Sequence, residues 1–197
     1  MRIDDTASDP FASVAAWFEA ASVAAEPALV HMAVATATPS GIPSLRMVLL
    51  RGLGSDGFVF YTDRSSRKGK ELGANPIAAV LLHWQAPRHR QVRAAGPVEE
   101  VSAAESDAYW AGRPAESRRS AIASHQSSVV SQLAELEERR AELEGLAEEE
   151  LVRPERWGGY RVRPVEVELW EEGPHRFHER VRWRRVGDAW VAERLAP

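Results

Sequence analysis

The sequence predicts a mainly β domain with peripheral helices (α+β), built on an antiparallel barrel or sheet with the helices packed outside it. Three observations lead to this prediction. The pattern of elements is five strands, then helices, then three strands. The turns between successive strands are too short for the crossovers that parallel strands need. The 197 residues, 44% of them hydrophobic, can bury one core, and no repeat or linker divides them. We therefore expect a single domain over residues 1–197, with 1–9 flexible.

Helix and strand signals alternate with turns in the first half of the chain. Asp9 and Pro10 are typical of a helix start, and apolar residues then follow at helical spacing, which predicts a helix over 10–24. The pair Ser65-Ser66 can cap a short helix that ends at Asn75. Period-two patterns bounded by Gly and Pro predict strands over 29–37, 44–52, 58–62, 77–85 and 89–101.

Helices are predicted for the middle of the chain and strands for its end. Ser102-Ala-Ala-Glu105 has the pattern of a capping box, and a helix follows over 103–112. A further turn or two of helix is expected over 117–124, and then a long solvated helix over 127–149, whose charges recur at four-residue spacing. Alternation over 160–196 predicts the last three strands.

Composition excludes several classes of protein. The chain has no Cys, so disulfides, a thiolate nucleophile and a zinc-thiolate site are excluded, in keeping with a reducing cytoplasm. No signal peptide is visible, and no apolar run approaches the roughly 20 residues that span a bilayer. A net charge of −4 argues against a general nucleic-acid binder. No set of His, Asp and Glu residues has a convincing metal-ligand spacing, so we expect no metal site.

Local clusters of basic residues on this acidic chain indicate sites for small anions. Arg67 and Lys68 lie at a predicted helix start, where unpaired backbone N–H groups and the positive end of the helix dipole favour phosphate. A Ser-capped helix with two exposed bases explains the same residues. Arg46 and Arg51 flank an apolar stretch, and an edge strand with exposed ends is the alternative there.

Further polar residues suit a flat, anionic heterocycle. The Gln91 amide offers both a donor and an acceptor. Tyr109, Arg113 and Ser117 recur at four-residue spacing and form either a second anion site or ordinary helix-surface polarity. Gln126-Ser127 could donate to an anion or only cap the helix that follows.

The last quarter of the chain is dense in Arg, His and Trp. On a strand, Arg176, His178 and Arg180 would share one face, with Trp170 nearby. Two guanidiniums around an imidazole suit an anionic, flat, oxidisable molecule. The residues together indicate at least two anion sites and aromatic platforms, which favours binding of a flat phosphorylated cofactor over hydrolysis.

These motifs, in their order, resemble the pyridoxine/pyridoxamine 5′-phosphate oxidase family of flavoproteins, and the resemblance runs from about Asp9 to Pro197. A single motif would be weak, whereas the ordered set is specific. The motifs are Arg46-Met-Val-Leu-Leu, Phe60-Tyr-Thr-x-x-Ser-Ser-Arg-Lys-Gly69, Arg90-Gln-Val, Tyr109-x-x-x-Arg113-Pro, Gln126-Ser127, Trp157-Gly-Gly-Tyr, Arg176-x-His178-x-Arg180 and Arg194-Leu-Ala-Pro.

The resemblance implies a split β-barrel homodimer with FMN in the cleft between subunits. It implies that the substrate C4′ loses a hydride to flavin N5, and that dioxygen reoxidises the flavin and yields hydrogen peroxide. Arg176 and His178 would be catalytic, lying over the pyridine ring of the substrate. Arg51, Tyr109, Arg113 and Ser117 would complete the substrate site. FMN would be held by Arg46, Met47, Tyr61, Thr62, Arg67, Lys68, Gln91, Gln126, Ser127, Trp170 and Arg180.

Two features depart from the family pattern. Arg51 stands where the family has Lys, which keeps the charge but changes reach and geometry. The basic, Tyr-containing N-terminal segment of the family has no counterpart in residues 1–8. Two alternatives follow: an oxidase of the same fold acting on a phenazine precursor or another reduced heterocycle, and a non-catalytic flavin-binding protein. The retained Arg90-Gln-Val and Tyr109-x-x-x-Arg113 motifs favour the vitamin B6 substrate.

Overall fold

The framework of the protein is an antiparallel sheet that curls into a half-barrel. The structure is a computed structural model and describes residues 3–22, 30–85 and 88–197. The strands are β1 (His31–Ala37), β2 (Pro43–Leu49), β3 (Gly52–Gly54), β4 (Gly57–Asp63), β5 (Ile77–Trp84), β6 (Arg90–Glu100), β7 (Trp157–Val162), β8 (Glu166–Glu171), β9 (Glu179–Val186) and β10 (Ala189–Arg194). The helices are α1 (Pro10–Ser22), α2 (Arg67–Ala74), α3 (Ala103–Ala111), α4 (Ala115–Ala123) and α5 (Ala134–Ala141), with short 3-10 turns at Glu148–Glu150 and Pro174–Arg176.

The long strand β6 joins two parts of the sheet. The main part has the order β10-β9-β8-β6-β5-β1-β2, so β2 lies at one edge. The second half of β6 turns to β7, which pairs with β4, and β4 pairs in turn with β3. All these pairings are antiparallel, which confirms the predicted fold class.

Alternation along the strands places one face of the sheet in the core. In β1, Met32, Val34 and Thr36 are buried while the residues between them are more exposed. Phe58 on β4 and Trp183 on β9, far apart in the sequence, are completely buried in the same core cluster. Each such large side chain contributes roughly 1.5–3 kcal/mol by leaving water. The curled sheet is therefore fixed by its packing as well as by its hydrogen bonds.

Helix α1 covers the core on one side. Phe11, Val14 and Trp17 recur at helical spacing and are all buried, and the Phe11 ring packs 5.9 Å from that of Phe58. The Asp9 carboxylate accepts a hydrogen bond from the backbone N–H of Phe11 at 2.9 Å, as expected for a residue before a helix. Positions 23 and 24 of the predicted helix lie outside the described residues.

Most other predicted elements are confirmed, with shifted boundaries. Ser66 caps α2 and Ser102 caps α3, each accepting from the backbone N–H three residues on. The predicted strand over 44–52 ends at Leu49, and β3 is a separate short strand after a turn in the chain. The end of the chain holds four strands, β7 to β10, rather than the predicted three, and β7 begins at Trp157.

The predicted long helix over 127–149 is wrong. Ser127 has φ +68°, which is outside the α-helical region, and α5 is a short helix further along. The apolar residues of this segment have little to pack against, since Val129 and Leu133 are 99% and 67% exposed. Charge pairs such as that between Arg140 and Glu144, with N–O 2.8 Å, stabilise a short helix only weakly.

The N-terminal segment contacts the last strands. Ile3 is buried, and the Trp183 indole N–H donates to the carbonyl of Ala7 at 3.1 Å. The expected flexibility of 1–9 stays a prediction. Within the described residues, no helix is both long enough and apolar enough to cross a bilayer.

Candidate functional site

A cavity of about 1130 Å³ opens beside the edge strand β2. Its walls come from β2, the end of β4, the start of α2, the helices α3 and α4, and the segment that follows α4. It brings together twelve of the residues that the sequence singled out, although they are scattered over more than 80 positions of the chain. These are Arg46, Met47, Arg51, Tyr61, Thr62, Arg67, Lys68, Tyr109, Arg113, Ser117, Gln126 and Ser127.

The start of α2 places a buried ammonium in this cavity. Lys68 donates from Nζ to Thr62 Oγ1 at 3.0 Å and to Gln126 Oε1 at 2.5 Å. Burial, together with the nearby charge of Arg46, lowers the pKa of Lys68 to about 8. A cation held in this way becomes more favourable when an anion binds beside it, so the arrangement suits a phosphate group.

Glu71 is a buried carboxylate that fixes two of the neighbouring cations. It accepts from Arg67 Nε at 2.9 Å and lies 3.4 Å from Arg46 Nη2. The hydroxyls of Thr36 and Ser44 also donate to it. Burial would raise the pKa of Glu71, but the hydrogen bonds from Ser44, Thr36 and Arg67 lower it to about 2. The carboxylate is therefore ionised at neutral pH and holds both guanidiniums in place.

Asp63 forms a second buried acidic centre at the end of β4. Its Oδ1 accepts from the backbone N–H of Ser65 at 2.7 Å and from the Ser65 hydroxyl at 2.6 Å. Its Oδ2 accepts from Arg156 Nε at 3.0 Å and from the backbone N–H of Gln126 at 3.4 Å. Burial would raise the pKa of Asp63, but these hydrogen bonds and the charge of Arg156 keep it below its ordinary value.

Three stacked rings form one wall of the cavity. The centroid of the Tyr61 ring lies 3.9 Å from that of Tyr109 and 5.6 Å from that of Trp157, and the Tyr109 and Trp157 centroids are 6.0 Å apart. The three planes are nearly parallel, within 11° of one another. A guanidinium lies near two of these rings: Arg51 is 5.8 Å from the Tyr109 ring and Arg113 is 4.6 Å from the Trp157 ring. The wall therefore combines flat apolar surface with two cations.

Arg113 is poised for an anion. Its Nη1 is buried and has no hydrogen-bond partner among the described residues. Burial lowers the pKa of Arg113, with the nearby charge of Arg51 acting in the same direction. An unpaired buried donor is costly, and an anionic ligand at this point would remove that cost.

The Trp157-Gly-Gly-Tyr motif allows the stack to form. A Cβ on Gly159 would lie 2.7 Å from the Tyr61 ring, and a Cβ on Gly158 would lie 2.4 Å from the Arg64 guanidinium. Strand β7 pairs directly with β4, with Tyr61 opposite Gly159. Only a residue without a side chain lets the ring lie flat on the neighbouring strand.

The remaining predicted residues form a second group in another part of the sheet. Gln91 on β6 is opposite Trp170 on β8, which is opposite Arg180 on β9, so the three lie in one row across the strands. The Trp170 ring lies 4.7 Å from that of His178. Arg180 donates from Nε to Glu168 at 2.8 Å and from Nη1 to the carbonyl of Ala196 at 2.9 Å.

Arg176 lies on a turn and not on a strand. It belongs to the 3-10 turn Pro174–Arg176 and has φ +65°, after His175 with φ +54°. The expectation that Arg176, His178 and Arg180 share one strand face is therefore wrong, since β9 begins only at Glu179. The Arg176 side chain is exposed to solvent.

The two groups line different hollows of one chain. His178 and Arg180 line a hollow of about 550 Å³, and Gln91 lines a third of about 340 Å³, which, among the described residues, meets the large cavity only at Leu45. Across the described ranges, the large cavity and the hollow beside His178 share no lining residue. A single chain thus carries two partial sites.

Some polar and aromatic residues at the cavity were given no site role from the sequence. Asp63 and Trp157 line it, and Glu71 and Arg156 hold residues that do. Trp157 begins the Trp157-Gly-Gly-Tyr motif, and Asp63 lies at a variable position of the motif that begins at Phe60, so their positions were an available signal. The pairing of Asp63 with Arg156 spans 93 positions, so no local sequence pattern predicts it.

Comparison with known proteins gives consistent matches along the chain. Residues 19–146 match a family model described as pyridoxamine 5′-phosphate oxidase, and residues 157–197 match one described as the pyridoxine 5′-phosphate oxidase C-terminal dimerisation region. A protein of Gluconobacter oxydans named pyridoxine/pyridoxamine 5′-phosphate oxidase is 49% identical over 98% of this chain and 96% of its own length. The pyridoxine-5′-phosphate oxidase of Bos taurus is 43% identical over 98% of this chain and 80% of its own length.

Solved structures show the same fold. PhzG from Burkholderia lata, in complex with tetrahydrophenazine-1-carboxylic acid, superposes with a TM-score of 0.90 at 35% identity, covering 98% of this chain and 95% of that one. A pyridoxamine 5′-phosphate oxidase-related protein from Nostoc punctiforme has a TM-score of 0.75 at 18% identity, covering 97% of this chain and 100% of that one, which supports the fold alone. The family matches cover most of the chain, and the predicted motifs lie in the elements described above. The chain therefore belongs to the pyridoxamine 5′-phosphate oxidase family.

Proposed function

We propose that the protein is an FMN-dependent oxidase that converts pyridoxine 5′-phosphate or pyridoxamine 5′-phosphate to pyridoxal 5′-phosphate, with dioxygen as the electron acceptor. The observation that carries the proposal is the large cavity, in which a cationic corner formed by Arg46, Arg67 and Lys68 adjoins an aromatic wall. Arg51 and Arg113 each lie near a ring of that wall. The names of the relatives from Gluconobacter oxydans and Bos taurus point to the same substrates.

The donors of the cationic corner fit a cofactor phosphate. Arg46, Arg67 and Lys68 supply positive charge there, and Gln126 and Ser127 supply neutral polar groups. The lowered pKa of Lys68 fits an ammonium whose counter-ion arrives with a ligand. These residues would hold the FMN phosphate, with Met47, Tyr61 and Thr62 along the rest of the cofactor.

The opposite part of the cavity fits the substrate phosphate. Arg113 carries the unpaired buried Nη1, Tyr109 and Ser117 offer hydroxyls, and Arg51 lies over the Tyr109 ring. Arg51 keeps a positive charge at this point, and its guanidinium is able to bind a phosphate through two parallel hydrogen bonds.

A homodimer would unite the two partial sites. The outer face of β1, β2 and β5 exposes a contiguous set of apolar side chains, with Leu45 70%, Met47 58% and Ile77 56% exposed. Patches of this kind mark interaction surfaces, and Met47 also lines the large cavity. The match of residues 157–197 to a dimerisation region supports self-association. In the proposed dimer, Gln91, Trp170 and Arg180 of one subunit would complete the cofactor site beside the other subunit's cavity.

The protein's own groups would bind, orient and exclude water. When bound, FMN supplies the hydride acceptor that no side chain of the protein can replace. Arg176 would clamp the substrate ring and stabilise negative charge, and His178 would position the ring or move a proton at it. The His178 ring is steadied by its contact with Trp170, and its Nδ1 accepts from the backbone N–H of Gly173 at 3.4 Å.

A second candidate is oxidation of a phenazine precursor, because the PhzG structure that superposes closely is a complex with tetrahydrophenazine-1-carboxylic acid. Oxygen uptake by the FMN-loaded protein separates the two. We expect uptake with pyridoxine 5′-phosphate and pyridoxamine 5′-phosphate to exceed uptake with dihydrophenazine carboxylic acids. The reverse order would replace the first proposal by the second.

A third possibility, a flavin-binding protein without catalysis, is tested by the same preparation. The purified protein is expected to be a yellow dimer with tightly held FMN. A yellow protein that consumes no oxygen with any of these substrates would be a binding protein. A colourless protein that ignores added FMN would refute the flavoenzyme proposal as a whole.

A further inference from the structure

Arg156 joins three parts of the chain around the cationic corner without lining the cavity. It directly precedes β7, and its backbone carbonyl accepts from the N–H of Arg64 at 2.6 Å. Its Nε donates to Asp63 Oδ2 at 3.0 Å, at the end of β4. Its side chain is 20% exposed, and that of Asp63 is 5% exposed.

The same guanidinium also holds the end of α4. Arg156 Nη2 donates to the carbonyls of Ala121 at 2.8 Å, Ile122 at 2.9 Å and Ser124 at 3.2 Å. The last carbonyls of a helix have no partner inside the helix, and a cation is favourable there because of the helix dipole. Arg156 thus ties the C-terminal end of α4 to the end of β4.

Gln126 shares the Asp63 carboxylate oxygen with Arg156. Gln126 follows α4 by three residues, its backbone N–H donates to Asp63 Oδ2 at 3.4 Å, and its side-chain oxygen accepts from Lys68 Nζ and Thr62 Oγ1. The next residue, Ser127, has a left-handed backbone with φ +68°. A short, strained segment of this kind keeps one conformation only when its surroundings fix it.

Charge gives Arg156 a second role at the same place. Asp63 lines the cavity that carries Arg46, Arg67 and Lys68. An unpaired carboxylate there would repel a phosphate and attract the ammonium of Lys68 away from it. The ion pair with Arg156, which does not itself line the cavity, neutralises the Asp63 carboxylate.

We propose that Arg156, acting through Asp63, is a positioning residue that holds Gln126 and Ser127 over Lys68 and neutralises the acidic side of the cofactor-phosphate site. The inference rests on the proposed function for the identity of the ligand. The pose of the 120–128 segment, by contrast, is a property of the unliganded protein and is testable without FMN.

The first measurement is backbone hydrogen exchange in the FMN-free protein. In Arg156→Met we expect exchange over 120–128 to rise by about tenfold or more, because the segment loses its tie, while β9 keeps its protection. Unchanged exchange over 120–128 would overturn the inference, whether or not the protein binds FMN. Arg184→Met is the matched control, because Arg184 pairs with Glu193 on the exposed β9–β10 hairpin.

The second measurement is FMN affinity, by fluorescence titration of the FMN-free dimer. We expect Arg156→Met to weaken FMN binding about tenfold, the size seen when a partner that orients a ligating group is lost. The FMN affinity of Arg156→Lys should lie between those of the wild type and Arg156→Met, because lysine keeps the charge but cannot reach all four oxygen partners. The double variant Asp63→Asn/Arg156→Met should recover part of the loss, because no unpaired carboxylate remains.

A second control separates the loss of positioning by Arg156 from a general loss of stability. Val14→Ala removes core volume on α1, which carries none of the proposed cofactor or substrate residues, and lowers stability without altering the contacts of Arg156. Equal loss of FMN affinity in Val14→Ala and Arg156→Met, or no recovery in the double variant, would overturn the positioning role. A wild-type protein that binds no FMN would instead refute the proposed function, and the exchange measurement would still decide the role of Arg156.

Discussion

The pKa of Lys68 predicts how FMN binding depends on pH. Burial and the charge of Arg46 lower this pKa to about 8 in the unliganded protein. With that value, roughly nine-tenths of the Lys68 ammonium is present at pH 7 and roughly one-tenth at pH 9. If the phosphate requires the ammonium, the Kd for FMN rises about tenfold over these two pH units, or about 1.4 kcal/mol.

The sign of the effect on stability is opposite to the sign of the effect on binding. The folded-state pKa lies below the value of 10.5 for an exposed lysine, so the folded protein disfavours the charged form. That penalty is present below pH 8 and disappears as the pH rises towards 10.5, so Lys68 contributes more to stability in alkali. FMN affinity falls over the same range, because the phosphate needs the proton that the empty site releases.

The FMN phosphate, Tyr61, Asp63 and Glu71 do not explain a loss of FMN affinity between pH 7 and pH 9. The second phosphate ionisation lies near pH 6, so FMN is already doubly charged by pH 7.5. Burial raises the pKa of Tyr61 above its ordinary value of 10, and the pKa values of Asp63 and Glu71 are lowered. No His residue is among those that line the cavity in the described ranges.

The assay is fluorescence titration of the FMN-free protein with FMN and with riboflavin at pH 7, 8 and 9. Wild-type protein should show the tenfold loss for FMN and a much smaller one for riboflavin, which lacks the phosphate. Lys68→Met should bind FMN weakly at every pH, with a flat profile. A flat profile in the wild type, or the same slope for riboflavin, would refute the reasoning.

Three further predictions concern stability and turnover. Glu71→Ala should lower the free energy of unfolding in urea by about 3 kcal/mol, because Arg46 loses its buried partner, and Glu71→Gln should lower it less. Gly57→Ala should cost roughly 1–3 kcal/mol, since φ is +118° and a Cβ would lie 1.9 Å from a neighbouring carbonyl oxygen, whereas Gly54→Ala, with open space around it, should be nearly neutral. Arg176→Ala should lower kcat of the FMN-loaded enzyme by tenfold or more while the Kd for FMN changes little, as measured by oxygen uptake and fluorescence titration.

Each of these has a contradicting result. A loss below 0.5 kcal/mol in Glu71→Ala, within the range of ordinary surface changes, would show that the carboxylate is not needed. Equal stability of Gly57→Ala and Gly54→Ala would mean that the turn relaxes easily. Equal losses of turnover and FMN retention in Arg176→Ala would remove the catalytic role and leave a structural one.

Local chemistry explains the parts of the fold that the sequence could predict. The caps at Ser66 and Ser102 and the alternation of β1 and β5 are determined within a few residues. The prediction of a helix over 127–149 was wrong for a reason that does not lie in the local sequence. Its charge spacing suits a helix, but helices are stabilised mainly by packing of an apolar face, and the rest of the chain offers this segment none.

The residues of the candidate site also divide into those that the sequence predicted and those that it did not. Motifs identified many of the side chains that line the large cavity, because their cations and aromatic residues recur at set spacings. They did not identify the buried carboxylates that hold these side chains. Glu71 contacts Arg46 across 25 positions and Asp63 contacts Arg156 across 93, so each pair exists only after the sheet has formed.

The separation of the two partial sites within one chain has a consequence for mixed dimers. If each complete site takes its cavity from one subunit and its Arg176 turn from the other, a Lys68→Met subunit and an Arg176→Ala subunit can compensate for each other. In their hybrid, one site would carry both defects and the other neither. Random pairing of equal amounts makes half of the dimers hybrid, so two preparations of low activity, unfolded and refolded together, would regain about a quarter of wild-type activity.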